Sequence, residues 1–244
     1  MPATAIQLKP QHPYQDEHDR ADLVATLTDE YSQATPQDIL RAVLAGKVAG
    51  DVALVSSFGA ESSVLLHLAA QVKPDAPIIF LETGKHFAQT LSHKRKLISE
   101  LGLTNVQEIK PDQAALGQSD PQGDLWRRDA DVCCTIRKVR PLKSALSGYD
   151  GWITGRKQFQ SSARLRLPFF EDSGTHIKIN PLARLSQQDI AAYMEQHTLP
   201  QHPLVEQGFA SIGCWPCTHP VTAGEDMRAG RWRGQAKTEC GIHL

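Results

Sequence analysis

The sequence predicts an α/β fold built around a parallel β-sheet. From residue 51 onward, short aliphatic runs alternate with longer segments that carry apolar residues at helical spacing. Such runs are typical of strands buried on both faces, and the longer segments are typical of helices that pack on a sheet. The order strand, helix, strand, helix, strand at this spacing favours parallel strands joined by right-handed crossovers.

The individual elements follow from this pattern in chain order. Two helices are expected first, around Leu23–Tyr31 and Pro36–Ala45, the second starting at Pro36 with Thr35 as its cap. Strands are expected at residues 51–57, 77–81, 105–110, 151–155 and 176–182. Helices are expected at residues 62–72, 87–101, 136–146 and 186–197, with a distortion at Pro141 and a loop over 111–131. One structural domain therefore contains a helical extension (1–50), an α/β core (51–199) and a loop-rich tail (200–244).

The overall charge excludes some functional classes. The chain has 244 residues, with 26 Lys and Arg against 27 Asp and Glu, and a formal net charge of −1. This balance argues against a general nucleic-acid binder, although it allows a local basic pocket. The sequence contains no run of about 18 apolar residues that could span a membrane, and its first residues lack the apolar region of a secretory signal. We therefore expect a cytoplasmic protein that binds neither nucleic acid nor membrane.

Four of the five cysteines form two groups that suit metal ligation. Cys133 and Cys134 are adjacent, and Cys214 and Cys217 are the first and last residues of C-W-P-C. Disulfides are rare in a reducing compartment, and five is an odd number for a disulfide framework. Zinc ligand pairs usually have two to four residues between them, whereas each iron of a cubane takes its own thiolate. A [4Fe-4S] cluster is therefore favoured over zinc, a redox thiol pair or small buried hydrophobes.

Cys240 lies four residues from the last residue of the sequence and suggests a reactive thiol. A thiol on a mobile tail could enter a site, react and swing out to meet a partner, and neighbouring cations would lower its pKa. His243 could orient this thiol. An accidental exposed cysteine is the alternative.

The segment S-S-F-G-A-E-S-S (56–63) is a candidate anion-binding turn. It joins a predicted strand to a predicted helix, where small residues let backbone N–H groups face an anion. It matches neither standard phosphate motif, so a plain connecting turn is an equal alternative. Three basic segments, in 126–143, 156–166 and 228–237, would together suit a small polyanion. Each of them alone is typical of a solvated face.

Four motifs in the second half of the chain point to a family. They are C-C-T-I-R-K-V-R-P-L (133–142), I-G-C-W-P-C-T (212–218), G-R-W-R-G (230–234) and K-T-E-C-G-I-H-L (237–244). Together they resemble the assimilatory adenylyl-sulfate reductases, which belong with the phosphoadenylyl-sulfate reductases. The resemblance covers roughly residues 50–244. It departs from the family's phosphate loop at Phe58, where a serine would be expected.

The resemblance implies a fold and a substrate site. The family fold is adenine-nucleotide α-hydrolase-like, a parallel sheet with helices on both faces, so that residues 51–199 would bind the nucleotide. Residues 200–244 would then form a cluster-binding segment and a catalytic tail. The implied substrate-binding residues lie in the phosphate loop, the L-E-T-G turn, the arginine loop and the tail: Ser56, Ser57, Gly59, Thr83, Gly84, Gly155, Arg164, Arg228 and Arg231.

The resemblance also implies the chemistry. Cys133, Cys134, Cys214 and Cys217 would hold a [4Fe-4S] cluster. Cys240 would attack the sulfur of adenylyl sulfate and release AMP, and thioredoxin or glutaredoxin would then release sulfite from an S-sulfocysteine. Lys138 would reach the sulfate or the cluster edge, and His243 would accompany the closed tail. Phosphoadenylyl-type reductases generally lack both cysteine pairs, which favours adenylyl sulfate, although some cluster-bearing members accept both substrates.

Two other classes make different demands on the sequence. A tRNA-thiolating sulfurtransferase needs a loop closer to S-G-G-x-D-S and a broader basic surface. A cluster- or zinc-based sensor would make Cys240 dispensable and leave the phosphate loop unused. The sequence leaves the oligomeric state open, including a homo-oligomer.

Overall fold

A six-stranded sheet forms the centre of the molecule. The computed structural model describes Tyr14 and residues 16–222, 224–235, 237 and 239–243. The strands are β1 (Val52–Val55), β2 (Ile78–Leu81), β3 (Val106–Ile109), β4 (Gly151–Ile153), β5 (Phe170–Asp172) and β6 (Ile177–Ile179). Their order is β3-β2-β1-β4-β6-β5, and every pair is parallel except β5 with β6. The predicted α/β fold with a mostly parallel sheet is confirmed.

Helices cover both faces of the sheet. They are α1 (Glu17–Glu30), α2 (Pro36–Leu40), α3 (Ser62–Val72), α4 (Ala88–Glu100), α5 (Gln113–Ser119), α6 (Leu125–Arg128), α7 (Ala130–Cys134), α8 (Arg140–Ala145) and α9 (Gln187–Gln196). The larger apolar core packs α2, α3 and α9 on one face, while Leu142 and Leu146 pack against Ala53 and Trp152 on the other. Among the described residues, no helix combines the length and apolar character that a membrane crossing requires.

The strand order places a crevice at the centre of the sheet. The chain runs from β1 outward through β2 to β3, and then returns to the opposite side of β1 as β4. In open parallel sheets, ligands bind beyond the carboxyl ends of the strands at such a reversal. The phosphate-loop candidate follows β1 and the arginine-loop candidate follows β4, so the topology brings the two loops together.

Several predicted elements differ from the structure. The loop predicted over 111–131 is wrong, because it contains α5 and α6, and the Asp112 carboxylate caps α5 by accepting from the Ala115 N–H. The helix predicted from 136 begins at Ala130, where Asp129 supplies the cap. The distortion expected at Pro141 is confirmed as a π-helical turn, Thr135–Val139, that precedes it.

The helices before the core and one strand within it also differ in part from the prediction. Helix α1 begins at Glu17, six residues before the predicted start, because the Asp16 carboxylate accepts from two backbone N–H groups. Pro36–Ala45 is helical as predicted, with Thr35 capping, and its second half is π-helical. The short antiparallel strand β5 was not predicted. Residues 1–13 and 15 of the predicted extension lie outside the described residues.

Candidate active site

A cavity of about 220 Å³ opens beyond the carboxyl ends of β1 and β4. It is lined by residues from the phosphate loop, the arginine loop, the segment that precedes C-W-P-C, and the tail. Ten predicted site residues line it together: Ser56, Ser57, Gly59, Lys138, Gly155, Arg164, Arg228, Arg231, Cys240 and His243. The sequence therefore identified residues that are far apart in the chain and share one cavity.

The phosphate-loop candidate is shaped by a buried aromatic residue. Phe58 is fully buried in the left-handed region at φ 50°, and its ring packs edge-on against Phe80. Its N–H donates to Ser56 Oγ over 3.1 Å. A β-carbon added to Gly59 would lie 3.4 Å from the Ile212 carbonyl oxygen. Phe58 thus anchors the turn in the core, while Ser57 and Gly59 face the cavity.

Thr83 and Gly84 lie beside the cysteines and outside the lining of the cavity. The Thr83 hydroxyl is 3.4 Å from Cys214 Sγ, and the Thr83 carbonyl accepts from Arg137 Nη1 over 2.7 Å. Gly84 adopts φ 69°, a conformation that favours glycine. This turn therefore supports the cysteine segments, and its predicted contact with the nucleotide stays a prediction.

The four candidate ligands converge on one small cavity. Cys133, Cys134, Cys214 and Cys217 are buried free thiols that line a space of about 10 Å³. The Cys217 N–H donates to the Cys214 carbonyl, which folds C-W-P-C into a tight turn. Within the described part of the chain, no three His, Cys, Asp or Glu side chains are close enough to hold a metal ion as they stand. The donor set of four soft sulfur atoms nevertheless matches the chemistry of an iron–sulfur group.

A buried ion pair fixes the helix that carries the first cysteine pair. Arg137 Nη2 donates to Asp120 Oδ2 over 2.6 Å, and the two side chains are 8 % and 0 % exposed. Asp120 also accepts from the Leu125 N–H. Arg137 thereby joins α7, the Thr83 turn and the segment between α5 and α6. No local pattern pointed to Asp120, because its segment was predicted to be a loop.

Cys240 is held in the interior next to the first cysteine pair. It is 7 % exposed and packs with Cys134, Cys217 and Trp232. A hydrogen bond from Cys134 lowers the pKa of the Cys240 thiol well below its usual value, against the opposing effect of burial. Burial raises the pKa of Cys133 to about 11 and also raises that of Cys217. The surroundings therefore favour the thiolate form of Cys240 and the neutral form of Cys133 and Cys217.

Lys138 supplies a half-buried positive charge at the junction of the two cavities. Its side chain lines both the large cavity and the cysteine cavity. Burial alone would lower the pKa of Lys138, but the electrostatic influence of the neighbouring Cys214 and Cys240 outweighs burial and raises it. Lys138 therefore stays protonated next to Cys240 and also lowers the pKa of this thiol.

Arg231 lies flat against the backbone of the C-W-P-C segment. Its guanidinium stacks over the Trp232 ring at 4.4 Å. A β-carbon added to Gly213 would lie 2.3 Å from Arg231 Nη2. Only a residue without a side chain leaves room for this guanidinium, so Gly213 determines where the charge of Arg231 is placed.

The residue before Cys240 carries the most extensive ion pairs of the site. Arg164 donates to both carboxylate oxygens of Glu239, over 2.6 Å from Nε and 2.7 Å from Nη2. Arg228 Nη2 donates to the same carboxylate over 3.1 Å. Arg164 and Arg228 thus line the cavity, and their predicted contact with the substrate stays a prediction. Glu239 was missed, although it stands in the T-E-C-G motif beside the predicted nucleophile.

A second network connects the arginine loop to the start of α3. Gln160 accepts from Arg164 Nη1 over 2.6 Å and donates to Glu61 over 3.0 Å. Lys157, which is 2 % exposed, pairs with Glu61 at 2.8 Å. The basic character of 156–166 therefore serves internal pairing as well as the cavity. An acidic residue in the phosphate loop was the available signal for this pairing.

His243 faces the cavity as a neutral ring. It stacks on Trp152 with ring centroids 5.8 Å apart and planes 8° apart. Burial, reinforced by the charge of Arg156, lowers the pKa of His243 well below its usual value. Its Nδ1 is buried without a hydrogen-bond partner among the described residues. An uncharged imidazole with an unpaired nitrogen can accept one hydrogen bond from a bound molecule or donate one to it.

Comparisons with known proteins identify the family. A family model described as phosphoadenosine phosphosulfate reductase domain matches residues 51–220. The chain belongs to this family. The adenosine 5'-phosphosulfate reductase of Mesorhizobium japonicum is 50 % identical over 214 residues, covering 88 % of this chain and 84 % of the relative. That of Streptomyces coelicolor is 40 % identical over 217 residues, covering 88 % and 90 %. The family membership makes the chain an oxidoreductase, and the resemblance drawn from the motifs is confirmed.

Solved structures agree on the fold. The crystal structure of a phosphoadenylyl-sulfate (PAPS) reductase from Candida auris in a phosphate complex has a TM-score of 0.70 at 26 % identity. It covers 86 % of this chain and 100 % of its own. A Candida glabrata FMN adenylyltransferase has a TM-score of 0.55 at 15 % identity, covering 83 % and 74 %, which shows a likeness of fold alone. The predicted adenine-nucleotide α-hydrolase-like architecture is confirmed.

Proposed function

We propose that the chain reduces adenylyl sulfate to sulfite and AMP in sulfate assimilation, with Cys240 as the nucleophile. The observation that carries this proposal is the position of the Cys240 thiol, which lines the same cavity as the Lys138 ammonium at the strand-order reversal. The names of the relatives and the presence of both cysteine pairs support adenylyl sulfate as the substrate.

The first step is a transfer of the sulfonate group to the thiol. The Cys240 thiolate attacks the sulfur, an S–S bond forms, and the bond from sulfur to the bridging oxygen breaks. AMP leaves with this electron pair, and the enzyme holds an S-sulfocysteine. An anionic thiolate must approach an anionic sulfonate, so fixed positive charge in a water-poor site is needed to stabilise the transition state. Lys138 and Arg231 line the cavity and supply this charge.

The second step needs an external dithiol such as thioredoxin or glutaredoxin. One thiolate of the donor attacks Cys240 Sγ and expels sulfite, and its second thiol then resolves the mixed disulfide and frees Cys240. The donor is oxidised to a disulfide and supplies both electrons. Since Cys240 is only 7 % exposed, the tail must open before this attack.

The cysteine pairs would hold a [4Fe-4S] cluster beside this centre. Cys133, Cys134, Cys214 and Cys217 line one cavity and fit four thiolate ligands. When bound, such a cluster supplies structural and electrostatic support. A Cys134 ligand is ionised and does not donate to Cys240, so that Lys138 and Arg231 remain the groups that favour the Cys240 thiolate. The exchange reactions carry both electrons, and a cluster redox change during turnover, seen by EPR, would contradict this role.

A labelling experiment tests the proposal. The anaerobically reconstituted protein is incubated with 35S-labelled adenylyl sulfate without a reductant. We expect the label to remain on the wild type and to be absent from Cys240→Ser. No label on the wild type would refute the reductase function. A parallel incubation with labelled phosphoadenylyl sulfate decides between adenylyl sulfate alone and both substrates.

A further inference from the structure

A largely buried carboxylate, Glu239, connects the tail to the rest of the molecule. Glu239 is 12 % exposed and lies between the guanidinium groups of Arg164, 7 % exposed, and Arg228, 14 % exposed. We propose that Glu239 is a positioning residue, a latch whose pairing with Arg164 and Arg228 holds the tail closed and places Cys240 in the cavity. The inference rests on the proposed function, since it concerns how the nucleophile of that site is delivered.

The latch connects the tail to the body of the fold. Each of the three nitrogens of Arg164 donates a hydrogen bond, two to Glu239 and the third to Gln160. Gln160 in turn donates to Glu61 at the start of α3. The tail is therefore anchored through the arginine loop to the phosphate loop that follows β1. A bidentate pair of this kind fixes orientation as well as distance.

Among the described residues, two other polar contacts of this part of the tail are weaker. Lys237, whose side chain is 8 % exposed, pairs with Asp131, whose side chain is 77 % exposed, and solvent around this carboxylate weakens the pair. The His243 N–H donates to the Cys240 carbonyl, which shapes the last turn without fastening it to the body. A buried carboxylate, in contrast, is strongly destabilised once its partners are removed, so the Glu239 pair separates only when the tail opens as a unit.

The latch leaves room for a substrate anion. Because Arg164 is committed to Glu239 and Gln160, an incoming phosphosulfate meets Lys138 and Arg231 at the cavity wall. The closed tail and a bound substrate can then coexist, as attack by Cys240 requires. We therefore expect Glu239 to govern the rate of transfer, while the affinity for the substrate depends on other residues.

The first experiment needs no substrate. The reconstituted protein is treated with iodoacetamide, and alkylation of the Cys240 peptide is followed by mass spectrometry, with hydrogen exchange of residues 239–243 in parallel. We expect Glu239→Gln to be alkylated about tenfold faster or more, with faster exchange in this segment. The matched control is Glu225→Gln, which removes the exposed partner of Arg233 in the same part of the chain and should leave the rate within about twofold.

Further variants keep the test decisive. Arg164→Lys retains the charge but loses the bidentate geometry, so an intermediate acceleration is expected, and this variant serves where Glu239→Gln does not fold. Glu239→Asp should restore slow alkylation in part. Equal alkylation rates in wild type, Glu239→Gln and Arg164→Lys would overturn the latch, whether or not the reductase function holds.

A second measurement separates positioning from substrate binding. In single-turnover labelling with adenylyl sulfate, Glu239→Gln should lower the maximal transfer rate at least tenfold, while half-saturation stays within about threefold. A shifted half-saturation with an unchanged maximal rate would overturn the proposal and make Glu239 a substrate-site residue. If no substrate labels the wild type, the proposed function fails, and the alkylation result still decides the latch.

Discussion

Phe58 offers a sharp test of how the phosphate loop is built. It combines a fully buried ring with a left-handed backbone, φ 50°, at which a β-carbon is unfavourable. Truncating such a ring to alanine costs about 3–5 kcal/mol of unfolding free energy. The backbone adds a second term, since a residue with a β-carbon pays about 1–2 kcal/mol in this region and glycine does not. Phe58→Gly and Phe58→Ala therefore differ in a way that packing alone does not predict.

The neighbouring ring supplies the matched control. Phe80 lies in β2 with its ring centroid 5.6 Å from that of Phe58, and it is fully buried as well. In an ordinary strand, glycine is less stable than alanine by about 0.5–1 kcal/mol. At position 58, relief of the backbone offsets the greater unfolded-chain entropy of glycine, about 0.4–1 kcal/mol. We expect the unfolding free energy of Phe58→Gly to equal that of Phe58→Ala or to exceed it by up to about 1 kcal/mol. At Phe80 we expect the alanine variant to be the more stable one.

Urea unfolding of the four variants under identical reducing conditions measures this difference. The comparison of glycine with alanine at each position cancels the common loss of the ring and any shared effect of a bound cluster. The predicted quantity is a difference between the two positions of about 1–2 kcal/mol. If glycine is the less stable substitution at both positions by a similar amount, the left-handed conformation of Phe58 does not shape this loop.

Three further outcomes follow from the interior. Asp120→Asn leaves the Arg137 guanidinium buried without its counter-ion and should destabilise the protein by about 3–5 kcal/mol in urea unfolding, whereas replacing both residues by apolar ones should cost less. Gly213→Ala should displace the Arg231 guanidinium, keep the melting temperature within a few degrees and slow single-turnover transfer at least tenfold. Burial holds the pKa of His202 at about 4, below the ordinary 6.5, so the neutral folded form loses stability as pH falls from about 6.5 to 4. His202→Asn should remove about 1.4 kcal/mol per pH unit of this slope, measured as urea midpoints against pH.

The sequence predicted the parts of the molecule that repeat a simple pattern. The aliphatic strands and the capped helix at Ser186 were found because burial and capping leave local signals. The loop, cysteine and tail motifs located ten of the residues that line the cavity, because these motifs carry a recognisable family pattern. Helix α5 was missed because a polar surface helix lacks an apolar stripe, and its Asp112 cap stands in an Asp- and Gln-rich segment that resembles a loop. Strand β5 has only one buried residue, so its three residues carry no periodic signal.

The interior ion pairs could not be predicted, because they depend on which distant segments meet. Glu239 and Arg164 are separated by 75 residues, and Asp120 and Arg137 by 17, and neither pair has a local pattern. The sequence contains three basic segments, and they were predicted to face one anion together. In the structure, Arg164 is paired with a carboxylate of the chain itself.

This pairing distinguishes the cations that are paired with carboxylates of the protein from those that remain available to a bound anion. Lys157 pairs with Glu61 and Arg164 with Glu239, so their charges are balanced inside the protein. Lys138, in contrast, has no carboxylate partner within the described residues, and the neighbouring Cys214 and Cys240 keep it charged. A half-buried cation without a carboxylate partner favours the binding of an anionic ligand, which balances its charge. We therefore expect an anion to bind between the cysteine cavity and Cys240, and the net charge of −1 for the whole chain conceals this local positive charge.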